Sequence, residues 1–200
     1  MIKNIIFDMG GVLIEFNPNH LLNLVLDNEN DKQILLQEIF KSKEWKMMDK
    51  GELDEPQMYE IVSSRIPEHL KDKAHYLIYH WNEIATKYED VSDYIQELKN
   101  RGYKIYLLSN ASHRLLNEYW LSIKNHECFD GEVVSAFVGL LKPNKDIYEY
   151  LLDKFSLKPE ECAFVDDSIP NVDGAIICGM QGIKYNGDIN KLRYELEEIL

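Results

Sequence analysis

The sequence predicts an α/β fold, a doubly wound and mostly parallel sheet with a helical bundle inserted into it. Three observations carry this. Three short apolar runs each stop abruptly at polar or acidic residues: Ile5-Ile6-Phe7 before Asp8, Ile105-Tyr106-Leu107-Leu108 before Ser109-Asn110, and Ala163-Phe164-Val165 before Asp166-Asp167. Short apolar runs bounded in this way read as strands buried on both faces of a parallel sheet. After residue 88 such runs alternate with stripes at helical spacing, which is the sequence form of βαβ units. Finally, the first strand ends near residue 8 and the next convincing one begins at 104. A crossover needs only about a dozen residues or a little more, so the intervening chain is an insertion.

In chain order, residues 3–8 read as the first strand. Residues 18–87 read as helical, with four apolar faces. Leu21, Leu22, Leu24 and Val25 begin the first. Ile34, Leu35, Ile39 and Phe40 make the second, Met58, Ile61 and Val62 the third, and Leu77, Ile78, Trp81 and Ile84 the fourth. Pro56 suits the first turn of the third helix, where a missing N–H costs little. The expected division is a core of residues 1–16 and 88–200 and a helical bundle of 17–87. Beyond it, Val91, Tyr94, Ile95 and Leu98 form one helical stripe, and Gly102 ends that helix. Ser112 is placed to cap a helix with the stripe Leu115, Leu116, Tyr119 and Trp120. Val133-Val134 reads as a short strand before the turn Gly139-Leu140-Leu141-Lys142-Pro143. Helices are expected over Ile147–Phe155, Ile169–Cys178 and 189–199, with a last strand over Gly182–Tyr185.

Composition bounds the partners. The net charge of −13 leaves no electrostatic footprint for nucleic acid or an anionic membrane. No apolar stretch reaches the ~18 residues of a membrane span, and the amino terminus lacks the regions of a signal peptide. Cys128, Cys162 and Cys178 are an odd, sparse set without metal-ligand spacing, so a reducing cytoplasm is the expected compartment. The six histidines show no convergent spacing either.

Ligands of open α/β sheets bind outside the carboxyl ends of the strands. Asp8, Ser109, Asp166 and Asp167 would therefore meet at one edge. Three carboxylates together repel unless a cation neutralises them, and carboxylate oxygens suit a hard ion such as Mg²⁺. The pattern predicts a magnesium site beside a nucleophile.

These residues resemble a known family. Phe7-Asp8-Met9-Gly10-Gly11-Val12-Leu13 resembles the first motif of the haloacid dehalogenase-like hydrolases, Leu107-Leu108-Ser109-Asn110 the second, Leu141-Lys142-Pro143 the third, and Phe164-Val165-Asp166-Asp167-Ser168 with Asn171 the fourth. The four occur in order along the whole chain, and residues 17–87 match the inserted cap. Within the family the chain is most similar to sugar phosphatases of the α-glucose-1-phosphate phosphatase type, and more loosely to the amino-terminal domain of soluble epoxide hydrolase. The resemblance implies a Rossmann-like hydrolase core and a Mg²⁺-dependent phosphatase of a small phosphorylated metabolite. Asp8 would attack phosphorus and form an aspartyl-phosphate. Mg²⁺ would be held by Asp8, the Gly10 carbonyl and Asp167, with Asp166 ligating or orienting a bound water. Ser109 and N–H groups near Met9, Gly10 and Asn110 would bind phosphoryl oxygens, and Lys142 would sit between nucleophile and phosphate. A monomer or homodimer is expected.

One position departs from the pattern. Most phosphatases of this family carry a second Asp two residues after the nucleophile, as proton donor. Here that residue is Gly10, which keeps a carbonyl but offers no proton. General acid–base help is worth about 10²–10⁴-fold in rate. Glu15, His113 and Lys46 are the candidate substitutes, and a good leaving group such as an anomeric sugar oxygen needs such help least. Two alternatives stay open: a phosphonate-cleaving hydrolase using an amine such as Lys46, and a phosphate-binding protein without turnover. Phe40, Trp45, Met47 and Met48 read chiefly as core of the insertion and secondarily as a pocket wall. Arg114 and His113, Lys43, Lys46 and Lys50 read as solvated.

Overall fold

The computed structural model describes all 200 residues. Five strands make one sheet: β1 (Asn4–Phe7), β2 (Lys104–Ser109), β3 (Gly131–Val134), β4 (Cys162–Asp166) and β5 (Gln181–Lys184). Their order is β3-β2-β1-β4-β5, and every neighbouring pair is parallel. The chain moves outward from β1 through β2 to β3, then returns to the other side of β1 for β4 and β5. Phe7 is in register with both Leu107 and Val165. The residues that follow these three strands therefore share one edge of the sheet, beside the point where the strand order reverses.

The apolar runs are continuous because both faces are covered, and successive residues serve opposite sides. Ile5, Phe7, Ile105, Leu107, Ala163 and Val165 belong to one buried cluster, shared with the inserted helices. Ile6, Tyr106, Leu108, Cys162 and Phe164 belong to the other. The first face is also covered by α6 (Glu89–Asn100) and α10 (Ile189–Glu197). The second lies under α8 (Lys145–Phe155) and α9 (Ile169–Ile177). A short α7 (Ser135–Val138) follows β3 directly. No helix is long and apolar enough to cross a membrane.

Between β1 and α6 lie five α-helices: α1 (Pro18–Val25), α2 (Glu29–Leu35, running on through a π-turn over Leu36–Phe40), α3 (Lys43–Asp49), α4 (Glu55–Ser63) and α5 (Lys71–Ile84). Polar side chains stop these helices from running together. Asn17, Asn28 and Ser42 each accept a hydrogen bond from an N–H three residues on, and Asp54 forms a reciprocal capping box with Gln57. The four apolar faces read from the sequence correspond to α1, α2, α4 and α5. Helix α3 is an addition to that reading. It is only seven residues long and most of its face is polar, so no stripe announces it; the Ser42 cap was the available signal. Arg65, just past α4, holds α3 in place by donating to Glu44 at 3.1 and 3.2 Å.

A second difference lies after β2. Ser112 does not cap an α-helix: its hydroxyl donates to Glu55 at 2.6 Å, and residues 115–119 form a widened π-turn followed by a 3₁₀ turn over Trp120–Ser122. That bond ties the start of the segment to α4, and the Ser112 hydroxyl accepts no N–H of the following turn.

Gly174 in α9 marks where the two-residue Lys142-Pro143 step packs on the core. A Cβ there would lie 2.8 Å from the Pro143 carbonyl oxygen and 2.9 Å from the Tyr148 hydroxyl, which itself donates to Asn171. Helix propensity alone favours alanine over glycine by about 1 kcal/mol. Backbone oxygen cannot swing aside, so the clash wins. Gly174→Ala is expected to lower the unfolding free energy by about 1–3 kcal/mol in urea titration; a stabilised variant would contradict this packing.

Candidate active site

Lys142 is wholly buried, and its ammonium is the centre of the site. Nζ lies 2.9 Å from Asp8 Oδ1 and 2.7 Å from Asp166 Oδ2, and it donates to the Leu108 carbonyl at 2.8 Å. An ammonium has three N–H groups, and all three are spent. The backbone places them: Asp8 directly follows β1, Leu108 lies within β2 and Asp166 ends β4. Asn110 fixes the approach of Lys142, since its side-chain amide accepts from the Lys142 N–H at 2.9 Å and donates to the Lys142 carbonyl at 3.0 Å.

Asp166 is equally committed. Oδ1 accepts from the Ser168 N–H at 2.8 Å and from Asn171 at 3.0 Å, while Oδ2 accepts from Lys142 and from Asn171. Asp8 Oδ1 accepts from the Met9 N–H at 2.7 Å as well as from Lys142. Asp8 Oδ2 and the Asp167 carboxylate make no hydrogen bond to another residue. Carboxylate oxygens of Asp8, Asp166 and Asp167 lie within 4.8 Å of one another. Gly11 permits this closeness: its φ is +76°, and a Cβ there would overlap the Asp167 carboxylate.

Three carboxylates face one ammonium, so the cluster carries excess negative charge. Burial pushes the Asp8 carboxyl up to about 7; Lys142 pulls against that rise, and Asp166 and Asp167 add to it. Asp167 is raised by burial and then by Asp166. Burial alone would lower the Lys142 ammonium, but Asp8 and Asp166 override it and leave it raised, so the lysine stays charged. A hard divalent cation fits what is left: the free oxygen of Asp8, the free carboxylate of Asp167 and the nearby Gly10 carbonyl are all oxygen donors.

The sequence-predicted residues fall out unevenly. Asp8, Lys142, Asp166 and Asp167 converge. Met9, Gly10 and Asn110 line the adjoining pocket. The Met9 N–H, however, is spent on Asp8, whereas the N–H groups of Gly10 and Asn110 make no hydrogen bond within the protein. Ser109 is buried at the end of β2 and does not line the pocket. Of the three substitutes for the missing acid, Glu15 is paired with His20 at 2.7 Å, His113 packs on Phe137 at 4.7 Å, and Lys46 is exposed; none lines the pocket.

The pocket has a volume of about 200 Å³. Its larger apolar lining is Phe16, Trp45, Met48, Ile78, Trp81 and Tyr119, with the Phe16 and Trp45 rings stacked at 5.6 Å and Trp81 edge-on to Phe16 at 5.0 Å. Of the residues weighed between core and pocket, Trp45 and Met48 line it, while Phe40 packs behind Trp45 at 5.0 Å and Met47 does not reach it. Arg114 is not solvated: it lines the pocket, donates to the Tyr79 carbonyl at 2.5 Å and pairs with Glu118. Asp49 and Glu55 also line the pocket and had no sequence signal, because nothing local distinguishes them from the chain's other acidic residues.

A protein-family model described as haloacid dehalogenase-like hydrolase matches residues 2–179. The chain is 28% identical over 198 residues to sesquiterpene phosphatase astK of Aspergillus oryzae, covering 90% of this chain and 88% of that one. It is 26% identical over 179 residues to pyrophosphatase PpaX of Bacillus cereus, covering 86% and 78%. A family enzyme of Bacteroides thetaiotaomicron, solved with magnesium and inorganic phosphate, superposes with a TM-score of 0.74 at 22% identity over 96% of this chain and 99% of that one.

Removing one partner of a buried ion pair leaves an uncompensated charge and costs about 3–5 kcal/mol. Lys142→Met is expected to lower the urea-unfolding free energy by that amount. Adding Asp166→Asn to it should recover part of the loss, because the remaining carboxylates then repel less. Strictly additive losses would show that the three groups do not act as a unit.

Proposed function

Because the chain belongs to the haloacid dehalogenase-like hydrolase family, we propose that it is a magnesium-dependent phosphatase of a small phosphorylated metabolite that works through an aspartyl-phosphate. The observation that carries this is the buried Lys142 ammonium held against Asp8 and Asp166, with Asp167 alongside, where Asp8 and Asp167 line a small pocket. The acidic pair after β4 favours phosphorus chemistry, and the phosphatase names of two relatives agree.

In this reading residues 17–87 are a cap that closes over the core of 1–16 and 88–200. Asp8 attacks phosphorus with its free oxygen Oδ2 while Met9 and Lys142 hold Oδ1. The ester P–O bond breaks, and the phosphoryl group passes to Asp8; water then cleaves the aspartyl-phosphate. Mg²⁺ would be held by Asp8, the Gly10 carbonyl and Asp167, and would neutralise charge on the transferring group. Asp166, its oxygens taken by Lys142, Asn171 and the Ser168 N–H, orients rather than binds it directly. The unpaired N–H groups of Gly10 and Asn110 take phosphoryl oxygens. The Phe16, Trp45 and Trp81 rings suit an alcohol with a flat or apolar face, as a sugar phosphate or an isoprenoid phosphate presents. The phosphonate-cleaving alternative finds no free amine, since Lys46 is exposed outside the pocket and Lys142 is fully engaged. Three unpaired cysteines suit a reducing cytoplasm.

Phosphate release across a panel of sugar, isoprenoid and aryl phosphates should require Mg²⁺ and fall by at least about 10³-fold in Asp8→Asn, because the amide keeps shape but loses the nucleophile. Release that survives this change would reject the assignment.

Cation binding should also depend on pH. With the Asp8 carboxyl raised to about 7, it is largely protonated below neutrality and must lose that proton to bind a metal. Calorimetric titration with Mg²⁺ should therefore show proton release near pH 6.5 and almost none at pH 9, with affinity rising between them. A pH-independent affinity would contradict a role for Asp8 as ligand.

A further inference from the structure

Gly10 leaves the departing oxygen without a proton donor at the usual position, yet the pocket contains one uncommitted carboxyl besides the cation-binding set. Asp49 stands at the carboxyl end of α3 and lines the same pocket as Asp8, Gly10 and Asp167. Its side chain makes neither a hydrogen bond nor an ion pair. The other polar groups on the wall are occupied: Glu55 by Ser112, Arg114 by Glu118 and the Tyr79 carbonyl. Burial pushes the Tyr119 phenol far above neutrality, which makes it a poor acid.

The position of Asp49 is built rather than incidental. Its carbonyl accepts from the Ser135 hydroxyl, where β3 passes into α7, and that hydroxyl in turn accepts from the Ala111 N–H at 2.9 Å. Gly51, with φ at +77°, lets the chain turn directly against the Ala136 carbonyl. The end of α3 is thus clasped onto the core beside β2, and Asp49 is carried into the pocket.

We propose that Asp49, delivered by the inserted helices, gives its proton to the departing alcohol oxygen and later takes one from the attacking water, the task that Gly10 cannot perform. The proposal rests on the phosphatase reading above. In the first half the P–O ester bond breaks, its electron pair goes to the alcohol oxygen, and that oxygen takes the Asp49 proton. In the second half water oxygen bonds to phosphorus, its proton passes to the Asp49 carboxylate, and the P–O bond to Asp8 breaks, restoring both carboxyl groups and releasing phosphate. Burial, and then the charge of Asp8, raise the Asp49 carboxyl to about 7 against the pull of Lys142, which suits proton transfer in both directions near neutrality.

The test is kcat/KM with Mg²⁺ for p-nitrophenyl phosphate, whose leaving group needs little protonation, and for n-propyl phosphate, whose leaving group needs much. Wild type should show only a shallow difference between the two. Asp49→Asn should lose about 10²-fold or more on n-propyl phosphate but less than about tenfold on p-nitrophenyl phosphate. Adding Gly10→Asp to Asp49→Asn should recover at least about tenfold on the alkyl ester; there is room, since a Cβ at Gly10 meets only Phe16 atoms, the nearest at 3.5 Å. Equal losses on both esters, or no loss, would overturn the proposal. So would a steep leaving-group dependence in wild type, a measurement that needs no variant to fold. Asp8→Asn separates the two readings: if it leaves release from both esters intact, the phosphatase mechanism itself fails, whereas loss in Asp8→Asn with an indifferent Asp49→Asn rejects the Asp49 assignment alone.

Discussion

A charged lysine sealed in the protein interior is tolerable only if every proton it carries is met. Lys142 meets this condition with two carboxylates and a backbone carbonyl drawn from three adjacent strands. Taking such charges out of water is expensive, and the attraction repays it only when geometry is good and remaining lone pairs are satisfied. That explains the surrounding bonds: the Asn110 amide locking the Lys142 backbone, the Asn171 amide bridging both oxygens of Asp166, and the N–H groups of Met9 and Ser168 on the carboxylates. The same arrangement leaves one oxygen of Asp8 and the Asp167 carboxylate without partners. The stability of the interior and the reactivity of its edge are therefore one arrangement.

The insertion supplies what the sheet edge lacks. The core offers Asp8, Asp167, the unpaired N–H groups of Gly10 and Asn110, and the Phe16 and Tyr119 rings. The cap contributes Trp45, Met48, Ile78 and Trp81 to the wall and Asp49 to its polar end. Because the Asp49 carbonyl is tied to Ser135, cap and core meet at a hydrogen bond next to the site rather than at a remote hinge. In the proposed mechanism the acid missing at Gly10 on the sheet edge is matched by the uncommitted Asp49 carboxyl on the inserted helices.

Most of the fold was legible in the chain. The strands buried on both faces are apolar runs, and they were found nearly to the residue; α6 and α8 were found from their apolar stripes, and α9 and α10 within one or two residues of their ends. The failures share a cause. Helix α3 is short, mostly polar and held by its Ser42 cap and by Arg65 bonding to Glu44, so periodicity had nothing to register. The segment after Ser112 carries a helical stripe yet forms a π-turn, and the Ser112 hydroxyl donates to Glu55 instead of capping it. In both places a side chain is bound to a partner distant in sequence, Glu44 by Arg65 and Ser112 by Glu55, which periodicity along the chain does not register.

The sequence by itself determined the parallel sheet and the meeting of Asp8, Asp166 and Asp167 at one edge; the place of Lys142 and the missing proton donor at Gly10 came from the resemblance to the family, and Ser109, expected at the same edge, does not line the pocket. The sheet and the three carboxylates follow from strand periodicity and from residues fixed to strand ends, which local order along the chain controls. Only the tertiary structure decided that Asp166 is saturated, that the Met9 N–H turns back onto Asp8, and that Asp49 lines the same pocket as Asp8. Hydrogen-bond saturation and cap placement depend on which distant groups compete for the same donors and space, and no window of the sequence contains both competitors.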